Sequence, residues 1–104
     1  MRLSLDQLRQ HGIEIRHYIP GRLRFSARQL RANNGLGEKI VNEISKVPGI
    51  TKVEYHSAST SILVTFDPAQ LALPENSSLL LNTLQQLFPA VGTDVWRALW
   101  AGRT

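Results

Sequence analysis

Alternating apolar and polar side chains predict a strand in the first quarter of the chain. Residues 13–17 alternate, and over residues 22–28 Leu23 and Phe25 share one face while Arg22 and Arg24 share the other. A proline and a glycine at positions 20 and 21 interrupt the alternation. Proline donates no ladder hydrogen bond, so we expect one long first strand with a bulge or bend at this point.

A β-hairpin is predicted in the middle of the chain. In residues 50–56 Val53 and Tyr55 share a face, and in residues 62–67 the apolar Ile62, Val64 and Phe66 do the same. The small polar residues 57–61 lie between them. Two such runs joined by about five turn-forming residues are typical of a hairpin.

Two longer helices are predicted, one on each side of this hairpin. Apolar residues in the stretch 36–47 recur with the 3.6-residue period of a helix, which Pro48 and Gly49 end. Pro74 suits the first turn of the second helix, and Pro89 ends it. Its six apolar residues form a wide face that we expect to be buried on two sides (Leu79, Leu80, Leu81, Leu84, Leu87 and Phe88).

The two ends of the chain predict shorter elements. Ser4 can cap a helix over residues 5–11, with Gly12 as the residue that follows its end. Near the other end, Thr93 can cap a helix in which Trp96 and Trp100 are one turn apart, and a fourth strand is the alternative there.

This order of elements predicts an α+β sandwich in which two helices cover one face of an antiparallel sheet. The other face would stay open and would carry mainly polar side chains (Arg22, Arg24, Lys52, Glu54, His56, Leu63 and Thr65). We expect one domain over residues 1–104, with a core over 13–88, an N-terminal extension over 1–12 and a tail over 89–104.

Composition narrows the classes of function. The 104 residues include no cysteine, which excludes disulfides, thiolate metal sites and thiol nucleophiles. The sequence has no apolar run of about 20 residues that could span a bilayer and no signal-peptide core, so a cytoplasmic location is expected.

Positive charge is concentrated in the first third of the chain. The net charge is +4, and residues 1–31 contain seven arginines against two acidic side chains. The remainder holds five basic and six acidic side chains. This asymmetry predicts an acidic partner, and the alternative is a solvated basic face without a partner.

Three segments resemble the heavy-metal-associated domain family. They are the helix end and strand PGITKVEY (48–55), the strand ILVTFDP (62–68) and the motif PGRLR (20–24), which is similar to a divergent branch of that family. The resemblance covers residues 13–88. It implies a ferredoxin-like βαββα(β) fold with spatial strand order 4-1-3-2.

The family's metal chemistry is not expected to carry over. Its metal-binding members hold a soft ion with a Cys-x-x-Cys pair between the first strand and first helix. Here that loop (residues 26–34) has no cysteine, methionine, histidine or acidic residue, and it contains Arg28 and Arg31. His17 and His56 are weak metal candidates, because the implied strand order separates them by two strand spacings, about 9.6 Å. No cofactor is expected.

The sequence also bears on catalysis and on nucleic-acid binding. We find no nucleophile elbow, carboxylate pair or phosphate loop, so the chain is not expected to be an enzyme. RNA-recognition sheets expose aromatic residues, whereas Phe25, Tyr55 and Phe66 here lie in the inward register. The arginine face alone would bind nucleic acid weakly and in a salt-sensitive way.

The sequence therefore favours a non-catalytic protein-interaction or regulatory module with a degenerate heavy-metal-associated fold. The expected partner is a protein with an acidic or apolar docking surface, and a second copy of the chain is an alternative. Metal handling through ligands other than cysteine and weak nucleic-acid binding also stay open. Trp96 and Trp100 could dock on a partner protein, or they could pack on the second helix or touch a membrane surface. The candidate contact residues are Arg22, Arg24, Arg28, Arg31, Trp96 and Trp100.

Overall fold

Four antiparallel strands form one sheet with the spatial order β1-β2-β4-β3. The computed structural model describes residues 9–32, 34–89 and 91. The strands are β1 (Ile13–Ile19), β2 (Arg22–Ala27), β3 (Ile50–His56) and β4 (Ser61–Phe66). The helices are α1 (Gln29–Ala32), α2 (Asn34–Ser45), α3 (Pro68–Leu71) and α4 (Pro74–Leu87).

The prediction of one long, bent first strand is wrong, because the chain reverses at Pro20 and Gly21. β1 and β2 are antiparallel neighbours, and Ile19 lies opposite Arg22 across a two-residue turn. Gly21 has a φ of 87°, a conformation that L side chains rarely adopt. Its carbonyl oxygen accepts a hydrogen bond from the Phe66 N–H at 2.9 Å, which ties the turn to the end of β4.

This reversal changes which part of the chain completes the sheet. β2, β3 and β4 take the places of the first, second and third strands of a ferredoxin-like sheet, in the expected neighbour order. The position beside β2 is occupied by β1, which precedes the others in sequence. The predicted C-terminal element over 93–100 lies outside the described residues, as does most of the predicted N-terminal helix.

The helix and hairpin predictions are confirmed. α2 ends shortly before Pro48, Pro74 is the first residue of α4, and β3 and β4 pair as a hairpin. The apolar face of the sheet and the two long helices share one core, which includes Phe25, Ile40 and Ile62.

Leu79 on α4 is 48% exposed, so the described residues do not cover the full apolar width of that helix. Of the helices in the described ranges, none is long and apolar enough to cross a membrane.

A close approach fixes how α2 lies on the sheet. A Cβ atom at Gly37 would lie 2.5 Å from the ring of Tyr55 on β3, so only glycine permits this spacing. Tyr55 packs against the core from the same face as Val53. The helix therefore covers the face opposite to the arginines of β2.

The Gly21→Ala substitution tests the turn. We expect it to lower the free energy of unfolding by about 1–2 kcal/mol, because alanine is strained at positive φ. A Cβ atom there would also lie 3.1 Å from the Phe66 carbonyl oxygen. Urea unfolding followed by circular dichroism would measure the change.

Gly35→Ala is the matched control, because Gly35 is exposed near the start of α2 and its φ is not positive. It removes the same backbone freedom from the unfolded chain, so stability should be unchanged or slightly higher. Equal effects of the two substitutions would contradict a strained turn.

Candidate functional site

The sheet face opposite the helices carries three rows of side chains. Directly opposed residues of antiparallel strands share a face, so the pairings define each row. All seven residues predicted for this face lie on it, and β1 adds residues that alternation alone did not place. The rows, from β1 to β3, are Ile19-Arg22-Thr65-Lys52, His17-Arg24-Leu63-Glu54 and Glu14-Ser26-Ser61-His56.

A β-bulge in β1 brings Arg16 and His17 to this face together. The pairing shifts between Ile15 and His17, which leaves Arg16 as the extra residue. The Arg16 Nε–H donates to the Ser26 hydroxyl at 3.2 Å, and the same nitrogen lies 3.2 Å from a Glu14 carboxylate oxygen. In the sequence, Arg16 and His17 are two consecutive polar residues in an otherwise alternating segment, and this break in the alternation is the signal for the bulge.

Leu63 is buried although it lies on the face that the helices leave open. It is 8% exposed and lines a hollow of about 380 Å³ together with Arg16, His17, Arg22 and Arg24. The described helices pack on the other face, and these long side chains lie around Leu63. Arginine commonly lays its apolar stem over such a surface and keeps its charged end in water.

All four arginines predicted as contact residues lack an acidic neighbour among the described residues. The ion pairs on this face join Arg16 to Glu14 and Lys52 to Glu54. Within residues 9–32, 34–89 and 91, no carboxylate lies within 4.0 Å of the guanidinium groups of four further arginines, which are Arg22, Arg24, Arg28 and Arg31. The face therefore has a surplus of positive charge.

The structure brings some of the predicted contact residues together and separates others. Arg24 and Arg31 line one hollow with Arg16, a residue that the sequence did not single out. Arg28 lines a neighbouring hollow, and Arg22 lies at the opposite end of β2. Trp96 and Trp100 lie outside the described residues.

The two candidate metal-binding histidines lie on different edges of the sheet. β1 carries His17 and β3 carries His56, with two strands between them, so three spacings of the backbone separate them, about 14 Å. Within the part of the chain that the structure describes, no three His, Asp or Glu side chains form a group that could hold a metal ion. The donor set does not fit a soft metal of the family's kind, and Arg28 and Arg31 would repel a cation.

The aromatic residues of the sheet lie in the core, as predicted. Phe25 and Phe66 are 5% and 7% exposed, and Tyr55 packs against the core cluster. No tryptophan, tyrosine or phenylalanine of the described strands faces the open side. The stacking platform of an RNA-recognition sheet is therefore not formed by these strands.

The fold and the face together define the class of protein. The chain is an α+β protein with a ferredoxin-like sheet, layered with helices on one face. Its sequence matches the family described as heavy metal associated domain 2 over residues 5–87, and the chain belongs to that family. No curated protein and no solved structure matches it. The resemblance noted in the sequence is thereby confirmed, in a member without cysteine.

Metal titration tests the interpretation of the histidines. We expect calorimetric titration of the full chain with Zn(II) or Cu(I) to show no binding tighter than micromolar, because His17 and His56 are too far apart to chelate one ion. A double variant, His17→Ala with His56→Ala, should give the same titration curve. A stoichiometric tight site that this variant loses would overturn the interpretation.

Proposed function

We propose that this chain is a non-catalytic interaction module that binds an acidic surface of another protein through its open sheet face. The observation that carries the proposal is the group of arginines that have no carboxylate partner within the described residues. The heavy-metal-associated fold would then serve as a scaffold for charge recognition in a regulatory assembly.

The geometry of β2 supports an extended or flat acidic partner. Arg22 and Arg24 share a face and are two residues apart, which is about 6.6 Å along a strand. Each guanidinium can bind a carboxylate with two parallel hydrogen bonds, an arrangement that lysine cannot form. Carboxylates at every second position of a partner strand would match this spacing.

Hydrogen bonding of the hydroxyl groups supports a non-catalytic role. Ser26 accepts from Arg16, and Ser61 pairs with Ser59 at 2.7 Å between hydroxyl oxygens. In the described ranges, no serine or threonine hydroxyl is bonded to a histidine ring or a carboxylate, which is the arrangement that activates a nucleophile.

Two other functions stay as alternatives. The family description favours metal handling, but through ligands that would have to be found outside the described residues. The surplus of arginine favours weak nucleic-acid binding, which would be unspecific because phosphate contacts carry no sequence information. A second copy of the chain and a membrane surface are further partners that the Trp-bearing tail leaves open.

Affinity capture from native lysate would test the proposal. The immobilised full chain is compared with the double variant Arg22→Glu, Arg24→Glu, and captured proteins are quantified by mass spectrometry. We expect a small set of acidic proteins to be depleted at least tenfold in the variant, because two attractions become two repulsions. The capture is repeated with nuclease-treated lysate, which shows whether it depends on nucleic acid.

Lys39→Glu with Lys46→Glu is the matched control. Lys39 is exposed on α2, which packs on the other side of the sheet, and Lys46 is exposed directly after the end of that helix; the change in net charge is the same. The control should retain the captured proteins. If all three chains capture the same proteins, the proposed face is wrong. If capture disappears after nuclease treatment and above about 200 mM salt, weak nucleic-acid binding replaces it.

A further inference from the structure

A hollow of about 390 Å³ lies where β1 and β2 approach the β3–β4 turn. Arg16, Arg24 and Arg31 line one part of it, and residues 58–61 line the rest. Its volume is within the range of small-molecule sites. The arginines come from a bulge, a strand and a short helix, so the fold and not local sequence brings them together.

A buried serine, Ser61, lines the hollow, and a second buried serine, Ser26, lies opposite it on β2. Ser26 and Ser61 lie directly opposite each other on β2 and β4, and they are 9% and 2% exposed. In their row across the sheet, these two small side chains lie between the longer side chains of Glu14 and His56. The Ser61 hydroxyl pairs with that of Ser59, which belongs to the turn that lines the hollow. Hydroxyl groups thus lie beside the arginines.

Arg16 is held in position before any ligand binds. Its Nε–H is bonded to Ser26 and lies against the Glu14 carboxylate, so its two Nη groups are the donors that remain for a ligand. Glu14 lines a neighbouring hollow of about 210 Å³ and does not line this one. Three arginines therefore line the hollow, and one carboxylate, that of Glu14, lines the neighbouring hollow.

We propose that this hollow binds the phosphate group of a small soluble phosphomonoester. A dianionic phosphate presents three terminal oxygens, which suit several guanidinium forks and a hydroxyl donor at once. A carboxylate, with a single charge and two oxygens, would leave part of this donor set unused. The site requires no protein partner, and of its three arginines it shares Arg24 with the pair tested for the function proposed above, whereas Arg16 and Arg31 are not part of that pair.

Titration of the full chain with inorganic phosphate and with glycerol 3-phosphate would test the site. Nuclear magnetic resonance is followed at the arginine Nε–H groups and the backbone amides. We expect saturable shifts at Arg16, Arg24, Arg31 and residues 58–61. Sodium chloride at matched ionic strength should not produce them, because a spherical monovalent ion cannot use the arginine forks.

Single substitutions separate a built site from general attraction by positive charge. Arg24→Gln and Arg31→Gln should each weaken phosphate binding about tenfold or more, as expected for the loss of a charge-assisted contact. Arg22→Gln removes the same charge from the same face of β2 but lies outside this hollow, so it should change the affinity less than about threefold. The amide spectrum of each variant shows whether it is folded.

Equal weakening by all three variants, or identical shifts with chloride, would overturn the proposal. A sedimentation experiment distinguishes a soluble phosphomonoester from a lipid headgroup. The chain is mixed with vesicles that contain phosphatidylinositol 4-phosphate, the vesicles are pelleted, and the bound chain is measured. Binding to vesicles without binding to glycerol 3-phosphate would overturn the assignment to a soluble ligand. Binding to both free phosphate probes, weakened by Arg24→Gln and Arg31→Gln, supports it.

Discussion

The reversal of the chain at Pro20 and Gly21 is the constraint on which the rest of the structure depends. Because Gly21 adopts a positive φ, β1 folds back beside β2 and fills the edge position of the sheet. The turn is hydrogen-bonded to Phe66, so it also fixes the end of the β3–β4 hairpin. Without this reversal, β2 would be an edge strand, and Arg16 would lie far from the arginines of β2.

The sheet separates two kinds of chemistry. One face is closed by α2 and α4 and holds the aromatic residues, with Gly37 allowing the helix to approach Tyr55. The other holds arginines, serines and one buried leucine. A metal-binding domain of this fold concentrates its function in two thiolates at one loop. Here Arg28 and Arg31 lie in the corresponding segment, and charge is spread from that loop across the strands.

Much of the fold was predictable because it follows from local patterns. The period-two alternation of β3 and β4 and the period-3.6 stripe of α2 each have one physical interpretation. Pro20 and Gly21 have two physical interpretations, because the same pair suits a bulge within a strand or a turn between two strands. Only the pairing of Ile13–Ile19 with β2 decides between them. The hollow of about 390 Å³ could not be predicted, because Arg16, Arg31 and Ser59 are distant in sequence and meet only through the bulge and the strand order.

The cover of Leu63 has a consequence for how an acidic partner would bind. Arg22 and Arg24 lie beside this leucine, and they are the side chains that would turn toward incoming carboxylates. Drawing Arg22 and Arg24 outward would expose an apolar surface at the centre of the contact, and the partner would then cover it. Association driven by opposite charges would thus be accompanied by a negative change in heat capacity, the mark of apolar burial.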